Sequence, residues 1–292
     1  QGGMAAGDGD SVAAGHYLQQ PYNFRVAVET TLRDDTDGLY YDARPDGSLV
    51  RSRTIASLLP LAAGIPSPER AARLVAHLRD PASFGSTIPL PSVALNDPAF
   101  ARDMWRGPVW LNVAYLVVLG LLRYDFRQDA AEVAWRLCDG VFRVLEAEHQ
   151  VYEFYDPEHF TTRYLHRKKG NVWKALTLGS GPQKEFVGWS GLVNTLMVEV
   201  ILGVKRQGAS LTIRPALPHH LAGLTLRLSL PQDRTTLELT GDSEGHATGW
   251  VELDGKRHAL DLPPGQAWEG TPPAKRAEPT SDTAAGAAHE SL

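Results

Sequence analysis

The sequence is almost without cysteine: Cys138 is the one such residue in 292. That excludes a disulfide framework, a thiolate metal cluster and a CxxC redox pair. It also lacks any basic block longer than Arg167-Lys168-Lys169, and 29 Lys and Arg stand against 34 Asp and Glu, a formal charge of −5. So little phosphate-neutralising surface argues against a nucleic-acid binder. Long hydrophobic runs are missing too. The longest, Val109 to Leu122, is interrupted by Asn112 and falls short of the ~20 apolar residues that a membrane span needs, so no membrane partner is expected. The ten histidines form no HExxH or paired ligand spacing, so no metal or other cofactor is expected. Residues 1–20 show no charged n-region followed by an apolar h-region, so no signal peptide is visible and a cytoplasmic location is expected. What is present is an ordinary globular balance, 43% hydrophobic and 22% charged, with length for one large domain or two smaller ones.

Hydrophobic spacing predicts a helical first part. Asp129 to Glu148 places Ala130, Val133, Ala134, Leu137, Val141, Val144 and Leu145 on one face, with Glu132, Arg136, Asp139 and Arg143 opposite. Trp189 to Val204 repeats the pattern, and Val109 to Leu122 reads as an inner helix buried nearly all round, with Pro108 in its first turn. Earlier helices are predicted at Tyr22 to Arg33, at Arg53 to Ala63, and from a Ser67 cap and Pro68 to Arg79. Long loops at 80–104 and 150–187 join them; loops of that length in a compact domain are usually functional. After Gly208 the period becomes two, at Leu211 and Ile213, Leu224 to Leu230, Leu237 and Leu239, and Trp250 to Leu253, with an Asp254-Gly255 turn. The expected organisation is a flexible segment 1–20, a helical part 21–204, a small β-rich module 209–270 and a disordered tail 271–292 rich in Pro, Ala, Ser and Thr.

Three segments carry candidate chemistry. Met104-Trp105-Arg106-Gly107-Pro108-Val109-Trp110 sets two indoles and a guanidinium at a helix mouth, which suits a sugar ring and equally suits core anchors around a loop. Tyr152-Glu153-Phe154-Tyr155-Asp156-Pro157 puts a carboxylate among aromatic rings, as activation of a water for glycosidic cleavage requires, or is an ordinary surface loop. Trp189, after Glu185-Phe186-Val187-Gly188, is a pocket wall or a packed helix start. The acidic run from Asp34 to Asp42 lacks the downstream Glu of an EF-hand and reads as a turn.

Taken in order, Asp37-Gly38-Leu39-Tyr40-Tyr41-Asp42, Leu58-Leu59-Pro60-Leu61-Ala62-Ala63-Gly64-Ile65, Leu90-Pro91-Ser92, Trp105-Arg106-Gly107-Pro108-Val109-Trp110, Tyr152-Glu153-Phe154-Tyr155-Asp156-Pro157 and Gly188-Trp189-Ser190 resemble glycoside hydrolase family 63. Within it the likeness is to the mannosylglycerate hydrolase-like catalytic domain, over about residues 20–204. The resemblance implies a mainly α fold, part of an (α/α)6 six-hairpin glycosidase barrel, here followed by the small β-rich module. It implies inverting hydrolysis of a small α-glucoside or α-mannoside, such as mannosylglycerate or glucosylglycerate, without a cofactor. Glu153 corresponds to the general base, and Trp105, Arg106, Gly107, Trp110, Tyr155 and Trp189 to the walls of the sugar subsite. The family's general acid is an Asp in the half of the barrel that precedes these motifs, and no Asp before Trp105 has a matching context. The chain begins at Gln1; the expectation is the C-terminal part of a longer enzyme, inactive alone, with the N-terminal half of the same protein as its partner. The alternatives are a non-catalytic carbohydrate-binding half-barrel and a sugar epimerase, which would want a pair of catalytic His residues that the sequence does not offer.

Overall fold

The computed structural model describes residues 11–208, 210–231 and 234–271. Helix α1 spans Ser11–Thr31, so residues 11–20, expected to be flexible, are helical; residues 1–10 and the expected tail from 272 lie outside the described residues. A two-strand ribbon, β1 (Asp42–Ala43) with β2 (Leu49–Val50), follows. The helix predicted for Arg53 to Ala63 is in two pieces, a 3-10 turn at Ile55–Leu58 and a short α2 at Pro60–Ala63. Pro60 causes the break, because it has no N–H to continue the helical ladder. Helix α3 (Pro68–Arg79) starts as predicted, with the Ser67 hydroxyl accepting the Arg70 N–H at 3.4 Å.

The next two helices are α4 (Leu111–Arg123) and α5 (Arg127–Glu148). Leu111, Ala114, Val117, Val118 and Leu121 of α4 are wholly buried, while Leu116 is exposed. Pro108 does not open this helix. Val109 is extended, and its N–H and C=O exchange hydrogen bonds with Tyr155 at 2.9 and 3.0 Å, so winding cannot begin until Leu111. Helix α5 carries the predicted stripe inward, including Val133, Ala134, Leu137, Val141 and Val144. Its Cys138 donates to the Val193 carbonyl at 3.4 Å, and burial pushes the thiol pKa up to about 12. A thiol held protonated is no nucleophile.

The expected loop 150–187 contains a helix, α6 (Val172–Leu178), that leaves Val172, Trp173 and Leu176 exposed. The predicted Trp189–Val204 helix is divided into α7 (Val187–Ser190), α8 (Leu192–Thr195) and a π-helical turn at Leu196–Ile201. The wider turn closes with Leu202 N–H on the Met197 carbonyl at 2.9 Å, and it keeps Leu196, Val200 and Ile201 buried. Val204 belongs to a strand, so the β-rich module starts five residues before the predicted 209.

That module holds two antiparallel sheets. One runs β3 (Val204–Gln207), β4 (Ser210–Ile213), β9 (Trp268–Gly270); the other is a meander of β5 (Thr225–Leu230), β6 (Thr235–Gly241), β7 (Ala247–Leu253) and β8 (Lys256–Leu262). The predicted turn closes β7 onto β8 with Asp254 and Gly255 both at positive φ, 51° and 80°. That backbone matches the right-handed twist of paired strands. Strand β6 alternates buried and half-buried residues along its length, and its Leu237 and Leu239 join the same apolar core as Leu137 and Leu196. His220 fastens the module to α5 through Glu132 at 2.8 Å.

Candidate functional site

The loops between helices are stitched into an irregular ladder at one end of α4 and α5. Single bridges pair Thr54 with Val93, Pro91 with Val109, Val109 with Tyr155, and Tyr152 with Lys184. This frame satisfies backbone groups that a buried loop would otherwise strand. It also brings the predicted Trp105 and Glu153 segments side by side.

The first segment turns sharply at Gly107, whose φ is +146° and whose N–H reaches the Ser92 hydroxyl at 2.9 Å. The turn lays Trp105 flat on Trp110, with ring centroids 3.7 Å apart and planes 6° apart. Trp105 is half-exposed and Trp110 buried. Beneath them Trp110 meets Phe154 at 4.9 Å and Trp189 at 5.3 Å, and its indole N–H bonds to the Met104 carbonyl at 3.0 Å. Four aromatic side chains from three distant segments thus form one wall, with Trp105 as its solvent-facing surface. Arg106 does not point into that wall. It pairs with Asp103 at 3.2 Å and lines an open cleft of about 620 Å³, together with Phe100, Arg102, Tyr164 and His166.

Glu153 is buried, 9% exposed. Its N–H donates to the Gln183 carbonyl at 3.0 Å, which fixes the backbone, and its side chain forms an ion pair with Arg167. Arg167 is itself buried, held by Nε on the Gly181 carbonyl at 3.2 Å, with its guanidinium 5.8 Å from the Phe154 ring. Burial pulls the Arg167 pKa below its ordinary value, yet a guanidinium stays charged at any physiological pH.

Tyr155 was expected to be a sugar wall, and its placement corrects that. It is fully buried, its hydroxyl accepting the Tyr152 N–H at 3.0 Å and donating to Ser190 at 3.1 Å. With both faces packed it braces the loop from behind. Sequence reasoning missed two braces of the same loop. Asp156, wholly buried, accepts from Arg102 at 2.9 Å and from the N–H groups of Glu158 and His159 at 2.9 and 3.1 Å. The other is Arg167, whose one sequence signal was the basic triplet. Asp156→Ala is expected to destabilise the fold by about 3 kcal/mol, since it strands two loop N–H groups and leaves Arg102 with Glu158 as its one carboxylate. Urea denaturation measures it, and a loss under about 1 kcal/mol would show that Asp156 is only a surface partner. Among the described residues no three His, Cys, Asp or Glu side chains gather as a metal site.

Residues 3–166, which hold all of the ladder except Lys184, together with Trp105, Trp110 and Glu153, match the model of the mannosylglycerate hydrolase MGH1-like glycoside hydrolase domain. The chain belongs to that family. The chain is 39% identical over 108 residues to mannosylglycerate hydrolase MGH1 of Selaginella moellendorffii, covering 35% of this chain and 21% of the relative. It is 37% identical over 112 residues to the mannosylglycerate hydrolase of Thermus thermophilus, covering 38% of this chain and 26% of that one. The chain therefore spans well under half the length of these curated relatives. A solved structure described as a sialidase shares the fold at a TM-score of 0.60 and 12% identity, over 92% of this chain and 25% of that chain. The likeness runs through both the helical part and the β-rich module. In this MGH1-like domain Trp105, Trp110, Phe154 and Glu153 fall within the matched segment, whereas Arg167 and the fourth ring of the wall, Trp189, lie beyond its last residue. No described helix is long and apolar enough to cross a membrane.

Proposed function

We propose that this chain is the C-terminal part of an inverting glycoside hydrolase acting on a small α-glucoside or α-mannoside, such as mannosylglycerate or glucosylglycerate. Glu153 is the general base, and Trp105, Arg106, Gly107, Trp110 and Trp189 shape the subsite for the cleaved sugar, Gly107 through its turn and Arg106 from the adjoining cleft. One observation carries the assignment. Of the carboxylates on the segment around it, Asp156 is committed to loop N–H groups and Arg102, and Glu158 is exposed on Arg102, whereas Glu153 is buried among aromatic rings, meets Arg167 through Oε2 and takes no hydrogen bond on Oε1 from the described residues. A free lone pair on a fixed carboxylate is what a water-activating base needs.

Inversion also needs a carboxylic acid about 6.5–9.5 Å across the bond, leaving room for the water. No Asp before Trp105 matches the context of the family's acid, so in this reading the acid comes from outside these 292 residues, on the helices that complete an (α/α)6 barrel, and the chain alone is inactive. The relatives' greater length supports this reading. Proton NMR of the first product tests it. Protein carrying the complementing segment is expected to release the β-anomer from glucosylglycerate or mannosylglycerate. First release of the α-anomer would overturn inversion, and turnover by the 292-residue chain alone would overturn the missing acid.

A further inference from the structure

We propose that Arg167 is the positioning residue of the site: it keeps Glu153 ionised and holds Oε2, so that Oε1 is the oxygen left for water. This rests on the reading of Glu153 as the base. The geometry supplies the argument. A carboxyl as buried as Glu153 is driven toward its neutral form by desolvation, and a neutral carboxyl can donate a proton but not accept one. An adjacent cation reverses that preference, so the contact selects the base role over the acid role.

Arg167 is placed for this from behind. Its N–H bonds to the Ser180 carbonyl at 2.8 Å and its Nε to the Gly181 carbonyl at 3.2 Å, which anchors the guanidinium and leaves Nη2 on Glu153. The same contacts pin the neck of the excursion that carries α6. The other titratable groups on the segments packed here include Glu148, bonded to Thr162 at 2.8 and 2.7 Å, Asp156, bonded to Arg102 and to loop N–H groups, Tyr152 and Tyr155, His166, Lys168 and Lys169 beside Arg167, and Lys184 and Glu185 on the segment bonded to residues 151–153. Arg167 is the cation in contact with the carboxylate.

The test is a carbon-13 NMR titration of the Glu153 side-chain carboxyl, assigned by its loss in Glu153→Gln, in the wild-type chain, Arg167→Gln and Arg167→Lys. Arg167→Gln is expected to raise the Glu153 midpoint by one pH unit or more, a tenfold gain in proton affinity. Arg167→Lys is expected to restore most of the wild-type midpoint, a rescue that a purely structural role would not give. If Arg167→Gln loses its near-ultraviolet circular dichroism, the Lys variant decides, and a midpoint there raised as far as tenfold overturns the proposal. An unmoved midpoint in a folded Arg167→Gln overturns it as well. Failure of the parent reading looks different: Glu153→Gln would keep full turnover in the complemented enzyme while the Arg167 variants still shift the titration.

Discussion

Glu153→Gln is expected to lower kcat of the complemented hydrolase by about 10²–10⁴-fold, the range that a positioned general base contributes, with little change in affinity for the sugar. The amide has the shape of the carboxylate and can still lie against the Phe154 loop, but its oxygen cannot take a proton from water at neutral pH. Binding survives because the aromatic wall of Trp105 and Trp110 is built from a different segment, held by the Gly107 turn and the Ser92 hydroxyl. The substitution also leaves Arg167 buried without its charge partner, and breaking such a pair costs about 3–5 kcal/mol. Kinetics must therefore be read below the variant's own unfolding transition. Undiminished kcat in the folded variant would remove Glu153 from the chemistry; unchanged sugar binding with activity lost is the expected pair of results.

Gly107→Ala is the substitution expected to damage the site without touching its chemistry. A Cβ at this position would press into the Ala101 carbonyl oxygen and lie 2.8 Å from the Phe100 ring, and the φ of +146° is one that L side chains rarely adopt. Both penalties fall on backbone that is itself committed, because Gly107 N–H holds Ser92 and the Arg106 carbonyl accepts the Ala101 N–H at 2.5 Å. The expected loss is about 3 kcal/mol. Urea unfolding reads the stability, and indole fluorescence reads whether Trp105 leaves Trp110. Wild-type stability with an unchanged spectrum would mean that the loop absorbs a methyl group and that glycine is not required there.

Comparison of individual elements separates what was legible in the chain from what was not. The Ser67-Pro68 start of α3, the inward stripe of α5, the Asp254-Gly255 turn and the alternation of β6 were all readable. Each depends on residues within a turn or two of one another, so spacing alone specifies it. The ordered motifs pointed to the family that residues 3–166 match. The extended Pro108-Val109, the division of 187–201 into short helices and a π-turn, and the exposed α6 were not readable. In each of these, a local helical or loop preference gives way to, or depends on, a partner far along the chain.

The site divides in the same way. Composition and spacing by themselves determined that Glu153 sits among aromatics and that Trp105, Arg106 and Trp110 share one loop. Only the tertiary structure decided that Trp105 stacks on Trp110, that Arg106 turns to Asp103 and a neighbouring cleft, and that Tyr155 is a buried brace. It alone chose Arg167, fourteen residues on, as the partner of Glu153. The physical reason is range. A helical stripe or a two-residue turn is fixed by the covalent geometry of neighbours, but a buried charge takes whichever countercharge the completed packing brings within reach, and that choice is made only when the loops close on one another.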